Sequence, residues 1–290
     1  MQAPSPSGPV ADAVEAGKRH AQQAGHEARP WVERLARLGY GAKGVVYLLV
    51  GGLAILAALG RGGKKTSAAG ALATIAGQPL GKLLLAVLAL GLAGYALWCL
   101  VQGSLDPEHK GTDAKGLAKR LGYVLSGLAY AGLALAAVRI LRGGAGAGKS
   151  GSTQDWTARL LAQPLGQWLV AAVGAVIIAV GLNTLYIASK GTFRDKLKLA
   201  QMSAAEQTWA TRMGKIGLMA RAVVSGLIGW FLIRAALFAD PNQARGLDGA
   251  LKVLAQQSHG RWLLGAVAVG LAAYGVYSFV EARYRRVLDA

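Results

Sequence analysis

Long apolar runs with almost no charge alternate along this chain with short polar, basic segments. Uncharged stretches cover 44–60, 83–105, 121–138, 160–189 and 262–280, and a further run, 216–239, is interrupted only by Arg221 and Arg234. A helix rising 1.5 Å per residue needs about 20 apolar residues to cross about 30 Å of hydrocarbon. The pattern therefore predicts six transmembrane helices. Arg221 and Arg234 stand near the ends of the fifth, where an arginine can snorkel to the headgroups.

The runs are organised as one unit used three times. Arg37-Leu38-Gly39-Tyr40, Arg120-Leu121-Gly122-Tyr123 and Lys215-Ile216-Gly217-Leu218 each open an odd-numbered span. Gln78-Pro79-Leu80-Gly81 and Gln163-Pro164-Leu165-Gly166 are identical and precede even-numbered spans, with Gln257-Ser258-His259-Gly260 in the third copy. Two spans per unit make the units parallel, all starting from one side of the membrane. The expected architecture is an all-α integral membrane protein with a pseudo-threefold bundle. It has a flexible polar tail over 1–30 and two-span units over 31–105, 114–190 and 209–288. Aligning the three glycines places Lys43, Ser126 and Arg221 in one column, Tyr47 with Tyr130 in another, and Arg139 with Arg234 in a third.

The connections have their own pattern. Trp31 and Trp209 fall in one column ahead of odd spans, with Leu35 and Leu38 on one face near Trp31, so this segment reads either as a short interfacial helix or as a plain continuation of the span. Gly-rich basic stretches such as 61–65 and 142–146 read as loops. Segments 70–76, 155–162 and 249–255 have helical apolar spacing but are too short to cross, which places them on the membrane surface. The Gln-Pro-Leu-Gly block reads as a turn with proline at the first helical position, where its missing N–H costs nothing. Small residues recur within the spans, as at Gly44, Gly51, Ser225, Gly229, Gly265, Gly270 and Gly275, and predict close helix packing in lipid.

Composition and charge refine this picture. The chain of 290 residues is 53% hydrophobic and only 16% charged, with a net charge of +18. Such basicity can mark nucleic-acid binding, but the Lys and Arg residues sit beside the spans, 20 on the side that carries the termini and 12 on the other. We therefore expect a lipid bilayer with anionic headgroups as partner, and no nucleic acid. The bias also favours both termini in the cytoplasm, in a bacterial inner membrane. The first thirty or so residues hold no apolar core of a secretory signal, so the first span is expected to direct insertion. Cys99 stands alone, which excludes an intramolecular disulfide and a cysteine-based metal site.

Catalytic patterns are missing. No acidic residue falls inside a span, Glu281 at the very end of the sixth being the nearest, and this counts against proton or sodium coupling. His20, His26, His109 and His259 lie in the tail or loops without metal-ligand spacing. Ser126, Ser225 and Ser278 lack an intramembrane base and read as packing hydroxyls, while Gln102, Asn183 and Thr184 near the even-span ends read as interhelical hydrogen-bonding groups. No enzyme activity and no cofactor are expected. The candidate contacts to anionic lipid or solute are the basic columns: Arg37, Arg120 and Lys215; Lys43 and Arg221; Arg139 and Arg234. One reading makes them interfacial anchors; a sharper one turns Arg139 and Arg234 inward onto an anion.

The columns resemble a bacterial membrane-protein family, that of domain of unknown function 1206. Its unit opens with a basic residue, a Gly-Tyr pair and a Lys-Gly-Val-Val-Tyr-like run, matched by Arg37, Gly39, Tyr40 and 43–47. An Ala-Leu-x-x-Leu-Ala-x-x-Pro-x-Gly-like block follows, matched by 72–81, 160–166 and, more loosely, 250–260; the third copy lacks the proline and both tyrosines. The resemblance implies six spans and carries over no catalytic residues. Two functions are expected as alternatives. One is a non-enzymatic scaffold or envelope-maintenance protein that binds anionic lipid or a partner protein. The other is a passive transporter or small channel, which requires a central polar path lined by the same column of each unit and fails if the centre is dry and sealed.

Overall fold

The computed structural model describes residues 9–61, 66–104, 113–143 and 153–286, with side chains from Glu33 onward except at 114, 115, 118 and 119. Among the described residues the regular structure is all helical, apart from an isolated bridge between Leu197 and Arg285. Six long helices carry the spans: α1 (Pro9–Ala58), α3 (Gly81–Ser104), α4 (Ala114–Leu141), α6 (Gly166–Lys190), α7 (Ala204–Leu237) and α9 (Gly260–Tyr284). Short helices α2 (Ala68–Ala76), α5 (Thr153–Leu161) and α8 (Leu247–Ala255) precede the even spans, at the places read from apolar spacing. The Gly-rich stretches at 62–65 and 144–146 lie outside the described residues.

One expectation changes, and one choice left open by the sequence is decided. Residues 9–30 continue α1 as helix where an irregular tail was expected. The segment is rich in Ala, Glu, Lys, Gln and Arg, strong helix formers, and Pro9 occupies the first turn. Of the two readings for the segments before the odd spans, the structure has the plain continuation, in α1, α4 and α7. Trp209 points outward at 62% exposure, as an interfacial aromatic should, whereas the Trp31 side chain lies outside the described residues.

The turn into each even span is set by its last glycine, not its proline. Helices α3 and α6 begin at Gly81 and Gly166, and proline stands two residues earlier, in the turn. Leu80 and Leu165 take left-handed conformations, φ 61° and 63°. The glycine N–H then donates to the carbonyl of Gln78, Gln163 or Gln257 at 2.8, 2.9 and 2.8 Å. A Cβ on Gly81, Gly166 or Gly260 would stand 2.0, 2.1 and 2.1 Å from the carbonyl oxygen of Ile75, Leu160 or Ala255. The third unit therefore makes the same approach without a proline.

Packing follows the repeat. Each even span lies against the odd span of the next unit: α3 on α4, α6 on α7, and α9 back on α1. The three crossings use equivalent positions. A Cβ on Gly44 would stand 2.9 Å from the Gly275 carbonyl, one on Gly127 3.1 Å from that of Ala96, and one on Gly181 3.2 Å from that of Ala222. Gly174 and Gly229 face each other's carbonyls at a further crossing of α6 and α7. In lipid, such backbone approach supplies dispersion contacts that hydrophobic burial cannot. Within units, α1 packs on α3 and α7 on α9, but among the described residues α4 and α6 share no comparable interface. The pseudo-threefold ring is thus open at the second unit.

Candidate functional site

At the end of the bundle that carries the chain termini, charged and tyrosine side chains meet in the interior. Tyr40, Lys43 and Tyr47 recur at helical i, i+3, i+7 spacing and share one face of α1; Tyr274, Tyr277 and Glu281 do the same on α9. Lys43 is 1% exposed, and its Nζ lies 2.9 Å from the Glu281 carboxylate. The same Nζ sits 4.6, 5.1 and 5.0 Å from the ring centroids of Tyr40, Tyr95 and Tyr274. A desolvated ammonium over an aromatic face gains about 2 kcal/mol. Arg285, just beyond α9, donates to the other Glu281 oxygen and stacks on Tyr40 at 4.8 Å. Arg221 of α7 donates to the Tyr274 hydroxyl at 2.7 Å and lies 5.2 Å from the Tyr274 ring centroid. Edge-to-face contacts link Tyr40 to Tyr95, Tyr95 to Tyr130, and Tyr47 to Tyr274.

The charge is unbalanced. Two of the three cations, Lys43 and Arg285, share the Glu281 carboxylate, and the third, Arg221, has only the neutral Tyr274 hydroxyl. Among the described residues, three buried donors find no acceptor: the Arg285 Nε, the Arg194 Nε and the Trp98 Nε1. Buried donors usually have partners, so unmatched ones in a positive interior mark a place suited to an anion with several oxygen acceptors. No cluster of metal-ligating side chains occurs among the described residues.

The site is closed at its own end and packed at the other. The segment after α6 crosses the bundle end. Phe193 stacks on Tyr277 at 5.5 Å, the Lys198 N–H donates to the Tyr284 carbonyl, and the Arg286 N–H donates to that of Lys196. Lys196 Nζ reaches the Tyr123 hydroxyl at 3.2 Å. Toward the far end Val46, Val50, Ala54, Leu85, Leu88, Leu264 and Ala268 form one buried apolar cluster. Leu72 of α2 and Leu251 of α8 are fully buried in it. The short helices lie across the bundle end; α2 buries Ala71, Leu72 and Ile75, α8 buries Ala250 and Leu251, and α5 buries Thr157 at the position equivalent to Leu72 and Leu251. The polar centre therefore does not continue as a polar path through the far half.

The basic columns read from the sequence divide. Lys43 and Arg221 meet at Tyr274. Arg37 pairs with Glu33 and donates to the Arg283 carbonyl at 3.3 Å. Arg120 caps the end of α3 through the carbonyls of Gly103 and Ser104, at 2.9 and 2.7 Å, where a cation suits the helix terminus. Lys215 is exposed. Arg139 is exposed as well, and Arg234 stacks on the exposed Phe238 at 5.6 Å, so these two do not face inward together. Both lie at span ends, where a long cationic side chain gains more from solvent and headgroups than from the interior. Sequence reading missed Glu281 as a buried partner, along with Arg285, Tyr95 and Tyr274. A usable signal existed: counted from Gly81, Gly166 and Gly260, equal positions hold Tyr95, Val180 and Tyr274, and then Gln102, Ile187 and Glu281.

The family model for the Domain of Unknown Function (DUF1206) matches the chain three times in tandem, over residues 38–106, 121–191 and 216–285. The chain belongs to the DUF1206 family. Each DUF1206 copy starts one residue before the shared glycine and ends beside the even span, so one copy is one two-span unit of the bundle. The chain is also similar to Uncharacterized protein YxxB of Bacillus subtilis (strain 168), at 37% identity over 269 residues, which cover 93% of this chain and 97% of that protein. No solved structure matches. In DUF1206 terms the buried charges come from the first and third copies, and the second supplies Ser126, Val180 and Ile187 at the equivalent places.

Proposed function

We propose that this protein is a non-enzymatic, multi-pass membrane protein of the bacterial inner membrane that holds the headgroup of an anionic lipid in its tyrosine-walled cationic centre. In this reading both termini, and the site near them, face the cytoplasm. One observation carries it: three buried or half-buried cations meet with a single carboxylate, which binds two of them, while Arg221 has only the Tyr274 hydroxyl and the Arg285 Nε no acceptor. An isolated buried charge is costly, so an interior with excess positive charge favours an anionic guest. The bacterial source of the similar protein supports the bacterial part of this assignment, and the six long apolar helices the membrane part. A protein held in this way can act as a scaffold of the envelope without turning over a substrate.

The alternative, a passive transporter or channel, requires a polar path between the two faces. The apolar packing around Leu72, Leu251 and Leu264 stands against it. Native mass spectrometry of the gently extracted protein tests the choice. Retained anionic phospholipid, lost from Arg221→Ala, supports the proposal; no retained anion, with solute flux in liposomes, refutes it.

A further inference from the structure

We infer that the anionic lipid reaches this centre sideways from the bilayer, between α4 and α6, with its phosphate at Arg221 and an acyl chain in the seam. The inference rests on the headgroup-binding reading above and adds its route and its amphiphilic occupant. Three observations lead to it. The first is the width of the seam. In the first and third units the shared glycine is pressed against the backbone of the even span: a Cβ on Gly39 would stand 2.8 Å from the Tyr95 Cα, and one on Gly217 2.5 Å from the Tyr274 Cα. In the second unit a Cβ on Gly122 would meet only the end of the Val180 side chain, at 3.8 Å. The helices of that unit have parted where the other two are clamped.

The second observation is the chemistry of the wall. Where the first and third units place Lys43 and Arg221, the second has Ser126; where they place Tyr95 and Tyr274, it has Val180; where they place Gln102 and Glu281, it has Ile187. The second unit adds Tyr123, Ser126 and Tyr130 from α4 but no charge, and its α6 wall, Val180 and Ile187, is apolar where the ring opens. A free inorganic anion has no use for such a wall, but a lipid, with charge at one end and hydrocarbon at the other, matches both parts.

The third observation is access. Lys43 is sealed at 1% exposure, whereas its equivalent Arg221 is half-buried. Of the two aligned cations, only the one on α7, whose neighbour is α6, remains partly exposed. The contact of Lys196 with Tyr123 closes the seam at the aqueous end, which leaves the bilayer side as the way in.

The test uses full-length protein with Cys99→Ser, in vesicles of phosphatidylcholine carrying a minor fraction of spin-labelled phosphatidylglycerol. The Gly122→Cys/Val180→Cys pair is bridged across the seam by a short reducible crosslinker. Expected results are an immobilised spectral component for the open protein, about tenfold weaker binding for Arg221→Ala, loss of the component on bridging, and its return on reduction. Val180→Trp, which fills the seam without a crosslink, should reproduce the loss. If the bridged protein binds as well as the open one while Arg221→Ala does not, the lateral route is overturned and headgroup binding stands. If no immobilised component forms at all, both fall. Displacement of the probe by soluble glycerol phosphate would place the guest in water and overturn the seam. Crosslinking of the single Val180→Cys variant to a second copy of the chain, without bound lipid, would assign the open face to self-association and overturn it too.

Discussion

Glu281 should matter more to the stability of this protein than either cation it binds. Its carboxylate lies 2.9 Å from the Lys43 Nζ on one side and bonds Arg285 on the other, with both cations against Tyr40. At that distance and an effective dielectric constant near 20, the Lys43 attraction alone is about 6 kcal/mol before desolvation is subtracted. Glu281→Gln keeps the shape but leaves two buried cations facing each other, and removing one partner of a buried pair costs about 3–5 kcal/mol. Lys43→Met removes a cation while Glu281 keeps Arg285, and the methionine fills the volume of the lysine stem. Its expected cost, mostly lost ring contacts, is about 1–2 kcal/mol. In the double variant only Arg285 remains unpaired, so its cost should fall short of the sum by about 1–3 kcal/mol. Reversible unfolding in mild detergent with increasing sodium dodecyl sulfate, followed by tryptophan fluorescence, measures all three. A Glu281→Gln protein as stable as Lys43→Met, or strict additivity in the double variant, would refute the charge arrangement.

The remaining predictions address packing, turns, pH and topology. Gly275→Leu, at the α1–α9 crossing, should cost about 1–3 kcal/mol in the same unfolding assay, whereas Gly41→Ala, whose Cβ meets nothing within 4 Å, should be neutral or stabilising by up to about 1 kcal/mol. Gly166→Ala, which sets a Cβ 2.1 Å from the Leu160 carbonyl, should displace α5 from α6 and raise protease cleavage between them. Asp240 has its pKa held below the usual aspartate value, first by the Asn242 backbone N–H. Its capping of the 241–243 turn is therefore complete above the ordinary aspartate pKa and lost as pH falls through the lowered one. Acid-dependent loosening of this turn, seen by hydrogen exchange as pH falls below the ordinary aspartate range, should vanish in Asp240→Asn. With Cys99 replaced, a cysteine at Ala200 should be protected from a membrane-impermeant maleimide in intact cells and one at Lys252 labelled; the reverse pattern would invert the proposed orientation.

Much of this fold was legible in the sequence because lipid imposes few choices. Every span must satisfy its backbone internally, so apolar length alone finds the helices. The repeated glycines fix the register of the units, and the same small residues prove to be the crossing points, as Gly44 with Gly275 shows. The site was only half legible. Lys43 and Arg221 stood out as a basic column, but Arg139 and Arg234 stood out equally and face away from the centre. A column states that positions are equivalent, not that they point inward. Direction depends on the face of the helix and on the partner, and Lys43 meets Glu281 across 238 positions of chain. The carboxylate looked peripheral because the uncharged run ends at Val280, yet the segment containing Phe193, Lys196 and Leu197 folds over that end and buries it.

That segment also explains why the second unit can differ from the others. In a closed threefold ring each unit would have to supply both a clamp between its own two helices and a share of the buried charge. The first and third units do so, through Gly39 on Tyr95 and Gly217 on Tyr274, with Lys43 and Arg221 beside these contacts. The second unit is held from outside instead: α4 by α3, α6 by α7, and the aqueous ends of the two by the Lys196–Tyr123 bond. With its stability supplied by neighbours, its own helix pair need not close, and Ser126, Val180 and Ile187 leave no unpaired charge where it opens. Restoring the lost column, by Val180→Tyr with Ser126→Lys, should then place a further cation beside Arg221 without a carboxylate to match. A loss of stability in that variant, relieved by an added anionic lipid, follows from the same charge count that assigns the centre to an anion.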